Sequence, residues 1–406
     1  MRVAGTVPLT GSDRLFLGEL GSARDYRLHI ALAARMPGPA PDSGELRRLV
    51  AEAAARAPVL TYRLARGGWE PDPAFDPACH VVEYRVAPGR DVGAAVVDAV
   101  RDNRLLPEHP LWSLMVVHGY AADEHLLCYR VHHAFQDGVG AARIATRAVL
   151  LEKNVPAPDR NVAVRAPVTA RMRLLATVAR LAAPSARLRP PPGRTGGAEA
   201  GARTFFLRLD LAAFRQIAAA TGASVPQVGL AVLAGALRAW NPAHWRKAGR
   251  RGTTVSFPLN LNGRLRDGGL GNGATTMPVI LPCAEPAPRE RLIRVMEETS
   301  FERMAVYRRD RYPVKAPAAA FRLLRWLVPK AFPGRMTVSV IGVNLPLDGC
   351  FAVPPTYDTR GGAVSMVYSD TTVVVSCVLS PSLAHGDRLP RLMEEALDEL
   401  RREVTR

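Results

Sequence analysis

Two adjacent histidines followed by an aspartate and a glycine are the residues of this chain best suited to chemistry. They form the segment His132–Gly138, which reads HHAFQDG. A neutral imidazole near pH 7 can take a proton from a hydroxyl or an amine as it attacks a carbonyl carbon. Asp137 and Gly138 are typical of a helix start, since aspartate caps helices and glycine permits a tight turn. The segment therefore predicts a general base on a loop, and Asp137 suits either a structural cap or a loop-fixing role in the site.

The strand leading into this segment determines where the two histidines point. Alternate side chains of a strand face opposite sides, so Tyr129, Val131 and His133 share one face while Arg130 and His132 share the other. Adjacent histidines that diverge are poorly placed to chelate one ion. The sequence therefore predicts no metal here.

Strand and helix patterns alternate along the chain, which is typical of an α/β fold. The alternation Tyr26, Leu28, Ile30, Leu32 predicts a half-buried strand, and residues 124–133 predict a strand followed by a helix over 138–151. Residues 155–202 are rich in proline and glycine and indicate a crossover segment. We therefore expect an N-terminal lobe over 1–154, a linker over 155–202 and a C-terminal lobe over 203–406.

Composition excludes several classes of protein. The 406 residues are 48% hydrophobic, and no apolar run is long enough for a spanning helix. The N-terminus lacks the apolar core of a signal peptide, so we expect a cytoplasmic protein. The five cysteines lie far apart, which favours reduced buried thiols. The sequence has no GxSxG elbow, P-loop or HExxH motif, and we expect no cofactor.

The net charge of +17 is concentrated in two stretches. Residues 160–208 hold ten Arg against one acid, and residues 308–335 hold eight basic residues against one acid. Basic faces beside Leu, Phe and Trp suit peripheral contact with an anionic membrane at its inner face. Two other interpretations are solvated arginines on a packed surface, and attraction of CoA phosphates or an acidic carrier protein. No aromatic or groove-reading pattern accompanies the charge, so nucleic-acid binding is not expected.

The HHxxxDG segment resembles that of the chloramphenicol acetyltransferase-like superfamily, which includes peptide-synthetase condensation domains. The flanking residues are most similar to its wax ester synthase/diacylglycerol acyltransferase family. The similar segments are the N-terminal stretch Pro8–Leu17, the region Trp69–Phe75, the PLW motif Pro110–Trp112, the pair Gly271-Asn272 with Met277–Pro282, and the closing strand–strand–helix.

The resemblance implies two acetyltransferase-like α/β lobes with a cleft or tunnel between them. It implies acyl transfer from a thioester, acyl-CoA or acyl carrier protein, to a small-molecule or lipid acceptor hydroxyl. His133 is then the base, His132 and Asp137 hold the loop, Gly138 leaves room for the thioester, and Asn272 is a candidate oxyanion donor.

Three segments depart from the family pattern: Ala134–Gln136, Pro226-Gln227 and Val340–Pro346. A specialised hydroxyl or amine acceptor therefore stays open. One alternative is a carrier-protein-dependent condensation enzyme that forms an ester or amide in natural-product biosynthesis. Another is a catalytically silent lipid- or partner-binding member of the fold.

Overall fold

The structure is a computed structural model of the 406-residue chain. It describes residues 5–151, 153–155, 188–193, 203–246, 252–260, 269–309, 336–343, 349–355, 361–381 and 383–405.

Helices and strands alternate through the first of these ranges, as predicted. The helices are α1 (Gly11–Phe16), α2 (Ser43–Arg56), α3 (Val92–Asp102) and α4 (Gly138–Arg143), and the strands are β1 (His29–Pro37), β2 (Tyr62–Ala65), β3 (Gly68–Pro71), β4 (Val81–Arg85), β5 (Trp112–His118) and β6 (Glu124–His132). Local sequence explains where α2 begins, because Asp42 and Glu45 each accept the other's backbone N–H.

The later ranges contain the remaining elements. The helices are α5 (Leu211–Thr221), α6 (Val225–Trp240), α7 (Pro242–Trp245), α8 (Pro288–Glu298), α9 (Phe301–Arg309) and α10 (Leu389–Val404), and the strands are β7 (Arg203–Asp210), β8 (Thr253–Asn260), β9 (Ala274–Leu281), β10 (Thr337–Gly342), β11 (Phe351–Val353), β12 (Ala363–Tyr368) and β13 (Thr372–Leu379).

A five-stranded sheet, in the order β11-β1-β6-β5-β4, is the centre of the first half. Its middle strand, β6, is antiparallel to both β1 and β5. Tyr129 and Val131 of β6 face one apolar cluster, which includes residues of α2 and α4, and Leu126 and Cys128 face another, which includes residues of α3. The central strand is thus held from four sides, and the predicted motif begins at its end.

A six-stranded sheet, in the order β7-β13-β12-β10-β8-β9, is the centre of the second half. Helix α6 is apolar around most of its circumference and is buried along most of its length in the core of this half. In the described part of the chain, no single helix is long and apolar enough to cross a bilayer. Helices α5 and α6 pass that test only as a pair, and the pair is bent by 103°.

The strand predicted from Tyr26 to Leu32 begins later than expected. Asp25–Leu28 form one turn of 3-10 helix, and β1 starts at His29. Residues 29–34 are buried on both faces of the sheet, so the predicted half-buried strand is wrong. The reason is that apolar clusters cover both sides of this sheet. The helix predicted over 138–151 continues from α4 as a π-helix, Ile144–Leu150.

One strand crosses the predicted division into lobes. β11 falls within 203–406 but pairs with β1 in the first sheet. The predicted linker over 155–202 lies mostly outside the described residues. The two basic stretches, 160–208 and 308–335, also lie mostly outside the described residues. The structure describes only 188–193, 203–208, 308 and 309 of them.

Candidate active site

The histidine motif lies where β6 ends and α4 begins. His132 is the last residue of β6, and Gly138 is the first of α4. The His132 N–H donates to the Leu111 carbonyl at 2.9 Å, and the His133 N–H donates to the Leu28 carbonyl at 2.8 Å. Backbone from both sides of β6 therefore holds the two histidines.

The His133 side chain is buried at the junction of the two halves. Its residue exposure is 9%, and its ring stacks on Phe16 with centroids 4.3 Å apart and planes 2° from parallel. Its Nδ1 lies 3.1 Å from Nδ2 of Asn272. Burial lowers the pKa of His133 to about 4. The imidazole is therefore neutral at pH 7 and is able to accept a proton.

The His132 side chain points away from His133, as the strand pattern predicts. Its Nδ1 accepts the Ala134 N–H at 3.1 Å, so the neutral ring carries its proton on Nε2. That Nε2 lies 3.1 Å from Oδ1 of Asp25, and Oδ2 of Asp25 lies 3.7 Å from Nε2 of His29. Burial would raise the pKa of Asp25, but the nearby His132 and His29 rings hold it well below its usual range. Among the residues that the structure describes, no group of three or more His, Cys, Asp or Glu could hold a metal ion.

Asp137 joins the motif loop to the second half of the chain. Its Oδ1 accepts the N–H groups of Val139 at 3.0 Å and Gly140 at 2.8 Å, which caps α4. Its Oδ2 accepts the N–H of Gly273 at 2.9 Å. Burial raises the pKa of Asp137, and the three N–H donors oppose that rise. The carboxylate thus cross-links two loops that lie far apart in sequence.

The segment 269–273 carries Asn272 to the motif and is itself held by α1. The Gly271 N–H donates to the Phe135 carbonyl at 2.6 Å. Asp13 accepts the Asn272 N–H at 2.8 Å on one carboxylate oxygen and the Thr10 N–H at 2.7 Å on the other. This segment is therefore bound to the motif loop on one side and to the N-terminal helix on the other.

Gly138, at the start of α4, lies against β10 of the second half. A Cβ atom at this position would lie 3.3 Å from Cδ1 of Ile341 in β10, which is tighter than ordinary van der Waals contact. The predicted space for a thioester at Gly138 stays a prediction. The geometry shows that a larger residue would push on β10.

An apolar pocket lies on the face of β6 that carries His133. The Tyr129 side chain lines it, and the Tyr129 hydroxyl donates to Oε1 of Gln136 at 2.8 Å. Gln136 belongs to the motif loop, so the pocket wall and the loop share a buried hydrogen bond. Both halves line the pocket, through Leu32, Leu114, Leu127, Thr146, Val149, Val343 and Phe351 among others.

Four residues of the site were not predicted from the sequence. Phe16 and Asp13 lie in the N-terminal stretch that resembles the family's opening signature, but nothing in their spacing indicates contact with His133 or Asn272. Asp25 and His29 were assigned to a strand pattern only. The signal that could have found them is the spacing of Asp25 and His29, which are four residues apart. They lie in a segment that the sequence predicts to be a strand.

Comparisons with known proteins identify the family of this chain. Residues 9–224 match the family model described as wax ester synthase/diacylglycerol acyltransferase catalytic domain, which is more than half of the 406 residues. The chain belongs to the wax ester synthase/diacylglycerol acyltransferase family.

Curated relatives match over part of their length. Two Mycobacterium tuberculosis proteins that carry the name diacylglycerol O-acyltransferase are 29% identical over 143 residues and 32% identical over 145 residues. The matches cover 34% and 32% of this chain. They span 31% and 30% of those relatives, so this chain matches less than a third of their length.

Solved structures match over nearly the whole chain. The wax ester synthase/diacylglycerol acyltransferase from Marinobacter aquaeolei VT8 is 21% identical, with a TM-score of 0.62 over 98% of this chain and 100% of that one. The first condensation domain of the calcium-dependent antibiotic synthetase is 18% identical, with a TM-score of 0.61 over 100% and 98%. The starter condensation domain of rhizomide synthetase is 14% identical, with a TM-score of 0.64 over 99% and 95%. These matches confirm the predicted two-lobed α/β fold.

Proposed function

We propose that this protein is an acyltransferase that moves an acyl group from a thioester to an acceptor hydroxyl. The observation that carries the proposal is His133, a buried imidazole at the junction of the two halves whose pKa burial lowers to about 4. An imidazole that is neutral at pH 7 and held by stacking on Phe16 is pre-positioned for general-base catalysis.

The proposed reaction needs one proton carrier. The acceptor hydroxyl oxygen attacks the thioester carbonyl carbon, and His133 takes the hydroxyl proton as the C–O bond forms. The tetrahedral intermediate collapses, the C–S bond breaks, and the imidazolium returns the proton to the departing thiolate. Both substrates are bound together, so positioning supplies much of the rate.

Nε2 of His133 is the nitrogen that acts in this proposal, since Asn272 covers Nδ1 at 3.1 Å; it acts in the tautomer that carries the ring proton on Nδ1. His132 and Asp137 do not meet substrate. They hold the loop through the contacts with Ala134, Gly140 and Gly273. The pocket beside Tyr129 is lined mostly by apolar side chains, and its volume of about 30 Å³ would have to grow for it to hold an acyl chain. Ligand pockets enclose roughly 300–1,000 Å³.

The family supports acyl-CoA as donor and a lipid or small alcohol as acceptor. A carrier-protein thioester and an amine or specialised hydroxyl acceptor form the alternative, a condensation enzyme. The two readings share the chemistry at His133 and differ in the group that carries the acyl chain.

The test is product formation with a panel of donors and acceptors. Acyl-CoAs of graded length, acyl-N-acetylcysteamine thioesters and an acyl carrier protein are each incubated with alcohols, diacylglycerol and amines. Thiol release and mass spectrometry report the product. We expect ester formation from acyl-CoA. Products formed only from the carrier-protein thioester would favour a condensation enzyme. If no combination of donor and acceptor gave a product, a catalytically silent binding protein would be favoured.

His133→Ala isolates the proposed base. We expect the rate to fall about 100-fold or more with the fold intact, because a positioned base contributes roughly 10²–10⁴. His118→Gln is the matched control, since His118 lies at the end of β5 away from the motif and contacts Glu83 at 2.9 Å. A folded His133→Ala protein that turns over at nearly the wild-type rate would remove the base assignment.

A further inference from the structure

Nδ1 of His133 has two neighbours that require opposite protonation states. One is Nδ2 of Asn272, at 3.1 Å. The other is the backbone carbonyl of His133 itself, which favours the protonated ring; Nδ1 is the ring nitrogen nearer to the residue's own backbone and is therefore the one that can reach this carbonyl. The amide N–H needs a lone pair on Nδ1, whereas the carbonyl needs an N–H there. A neutral imidazole has one ring proton and can satisfy only one of them at a time.

The orientation of the Asn272 amide follows from its other contacts. Its Oδ1 accepts the Ala274 N–H at 3.0 Å, which leaves Nδ2 as the atom that faces His133. Its backbone N–H is held by Asp13 at 2.8 Å. The donor is therefore aimed at Nδ1 by an anchored segment, and the stacked Phe16 ring fixes the plane of the imidazole.

We propose that Asn272 sets the tautomer of His133. While its amide donates to Nδ1, the ring proton is on Nε2, and that nitrogen is a hydrogen-bond donor and not a base. The base-competent tautomer has the proton on Nδ1, directed to the carbonyl of His133, and a lone pair on Nε2. The exchange moves one proton between the two nitrogens through solvent water and leaves the ring neutral.

This inference rests on the proposed function, because it assigns Nε2 the role of base. It makes Asn272 a positioning residue, which acts on the reaction through His133. Release of the amide from Nδ1 then precedes proton abstraction. Asn272→Asp should reverse the preference, because a carboxylate accepts an N–H from Nδ1 and cannot donate one.

The experiment reads the tautomer directly. Protein with ¹⁵N-labelled histidine is examined by two-bond ¹H–¹⁵N correlation spectroscopy, and His133→Gln assigns the signal of His133. We expect the substrate-free protein to carry the proton on Nε2 and Asn272→Asp to carry it on Nδ1. The acid limb of the kcat/KM profile of Asn272→Asp should move up by about one pH unit or more, because a carboxylate favours the imidazolium.

Two further variants keep the result interpretable. Asn272→Ala removes the donor without adding charge beside Asp13, and it should shift the ring proton toward Nδ1, because the His133 carbonyl remains as the acceptor. Asn241→Asp is the matched control, since Asn241 is also buried and donates its amide to the Arg189 carbonyl, away from His133. Thermal unfolding of each variant reports whether it is folded.

Each outcome decides the proposal. A wild-type spectrum with the proton on Nδ1, or spectra that do not change in folded Asn272 variants, would overturn it. The spectra need no turnover. If no thioester is consumed by any protein, the proposed function fails while the tautomer assignment is still decided.

Discussion

Phe16 lies flat on His133, with ring planes 2° from parallel and centroids 4.3 Å apart. Phe16 ends α1, and His133 follows β6, so the two rings meet through the fold and not through sequence proximity. The stacked ring limits rotation of the imidazole about its χ2 angle and shields one of its faces from water.

Phe16→Leu should lower kcat/KM by up to about tenfold, because an aromatic pair contributes about 0.5–1.5 kcal/mol beyond burial. Steady-state thiol release over a range of pH measures the effect. Phe75→Leu is the control, since Phe75 stacks on another buried histidine, His80, with centroids 5.0 Å apart. Equal losses in both variants would show that the effect is general destabilisation.

Asp137→Asn should weaken the link between the halves. Asparagine offers one acceptor oxygen, so either the capping N–H groups of α4 or the Gly273 N–H would face an amide donor. A buried donor left without an acceptor costs about 1–3 kcal/mol. Urea unfolding measures this loss.

The matched control for that change is Asp91→Asn. Asp91 caps α3 by accepting the Ala94 N–H at 2.8 Å, and within the described ranges it has no hydrogen bond to the second half. Asparagine caps helices about as well as aspartate, so this variant should be near neutral. Asp137→Asn should therefore lower the free energy of unfolding more than Asp91→Asn does, and equal losses would contradict our interpretation of Asp137.

Acid should destabilise the fold through buried histidines. Burial lowers the pKa values of His29, His80 and His133 to about 4, against about 6.5 in an unfolded chain. Between these values the unfolded state binds more protons, so the free energy of unfolding falls as pH drops from about 6.5 to about 4.

His80→Gln tests this dependence without touching the site. It removes one of the three groups, so its free energy of unfolding should change less with pH over the same interval than that of the wild type. Urea titrations at several pH values measure the slope. The control is His118→Gln, since His118 is partly exposed. Parallel curves for wild type and His80→Gln would contradict the prediction.

Peripheral membrane binding is a prediction from the two basic stretches, 160–208 and 308–335. About 1 kcal/mol per basic residue is available near an anionic surface, and salt screens it. We expect co-sedimentation with anionic liposomes at low salt, and less at high salt or with neutral liposomes. Equal recovery of the protein in the supernatant with anionic and neutral liposomes, at both low and high salt, would contradict peripheral membrane binding.

The sequence was sufficient for the motif and its strand. The alternation of residues 124–133 predicts that His132 and His133 diverge, and the resemblance of Gly271-Asn272 to the family pattern marks Asn272 as a site residue. The sequence does not reveal which residues these side chains contact in the folded protein. Asn272 and Asp13 are separated by 259 positions, and no local pattern reports such a pairing.

The sequence pattern also misplaces the start of β1, which is His29 and not Tyr26. The apolar alternation from Tyr26 to Leu32 is as regular as that of a strand, yet Asp25–Leu28 form a 3-10 turn. That turn brings the Asp25 carboxylate to His132, an arrangement that tertiary packing imposes and periodicity does not encode.

The placement of β11 has a consequence for synthesis on the ribosome. β11 covers the edge of β1 by pairing Phe351 with Ala33 and Val353 with Ala31, so the first sheet is complete only after those residues have been translated. Until then β1 presents an open, apolar edge, the kind of edge that favours pairing with other chains. Shortened chains that end before β11 should therefore aggregate, even though they contain the whole histidine motif.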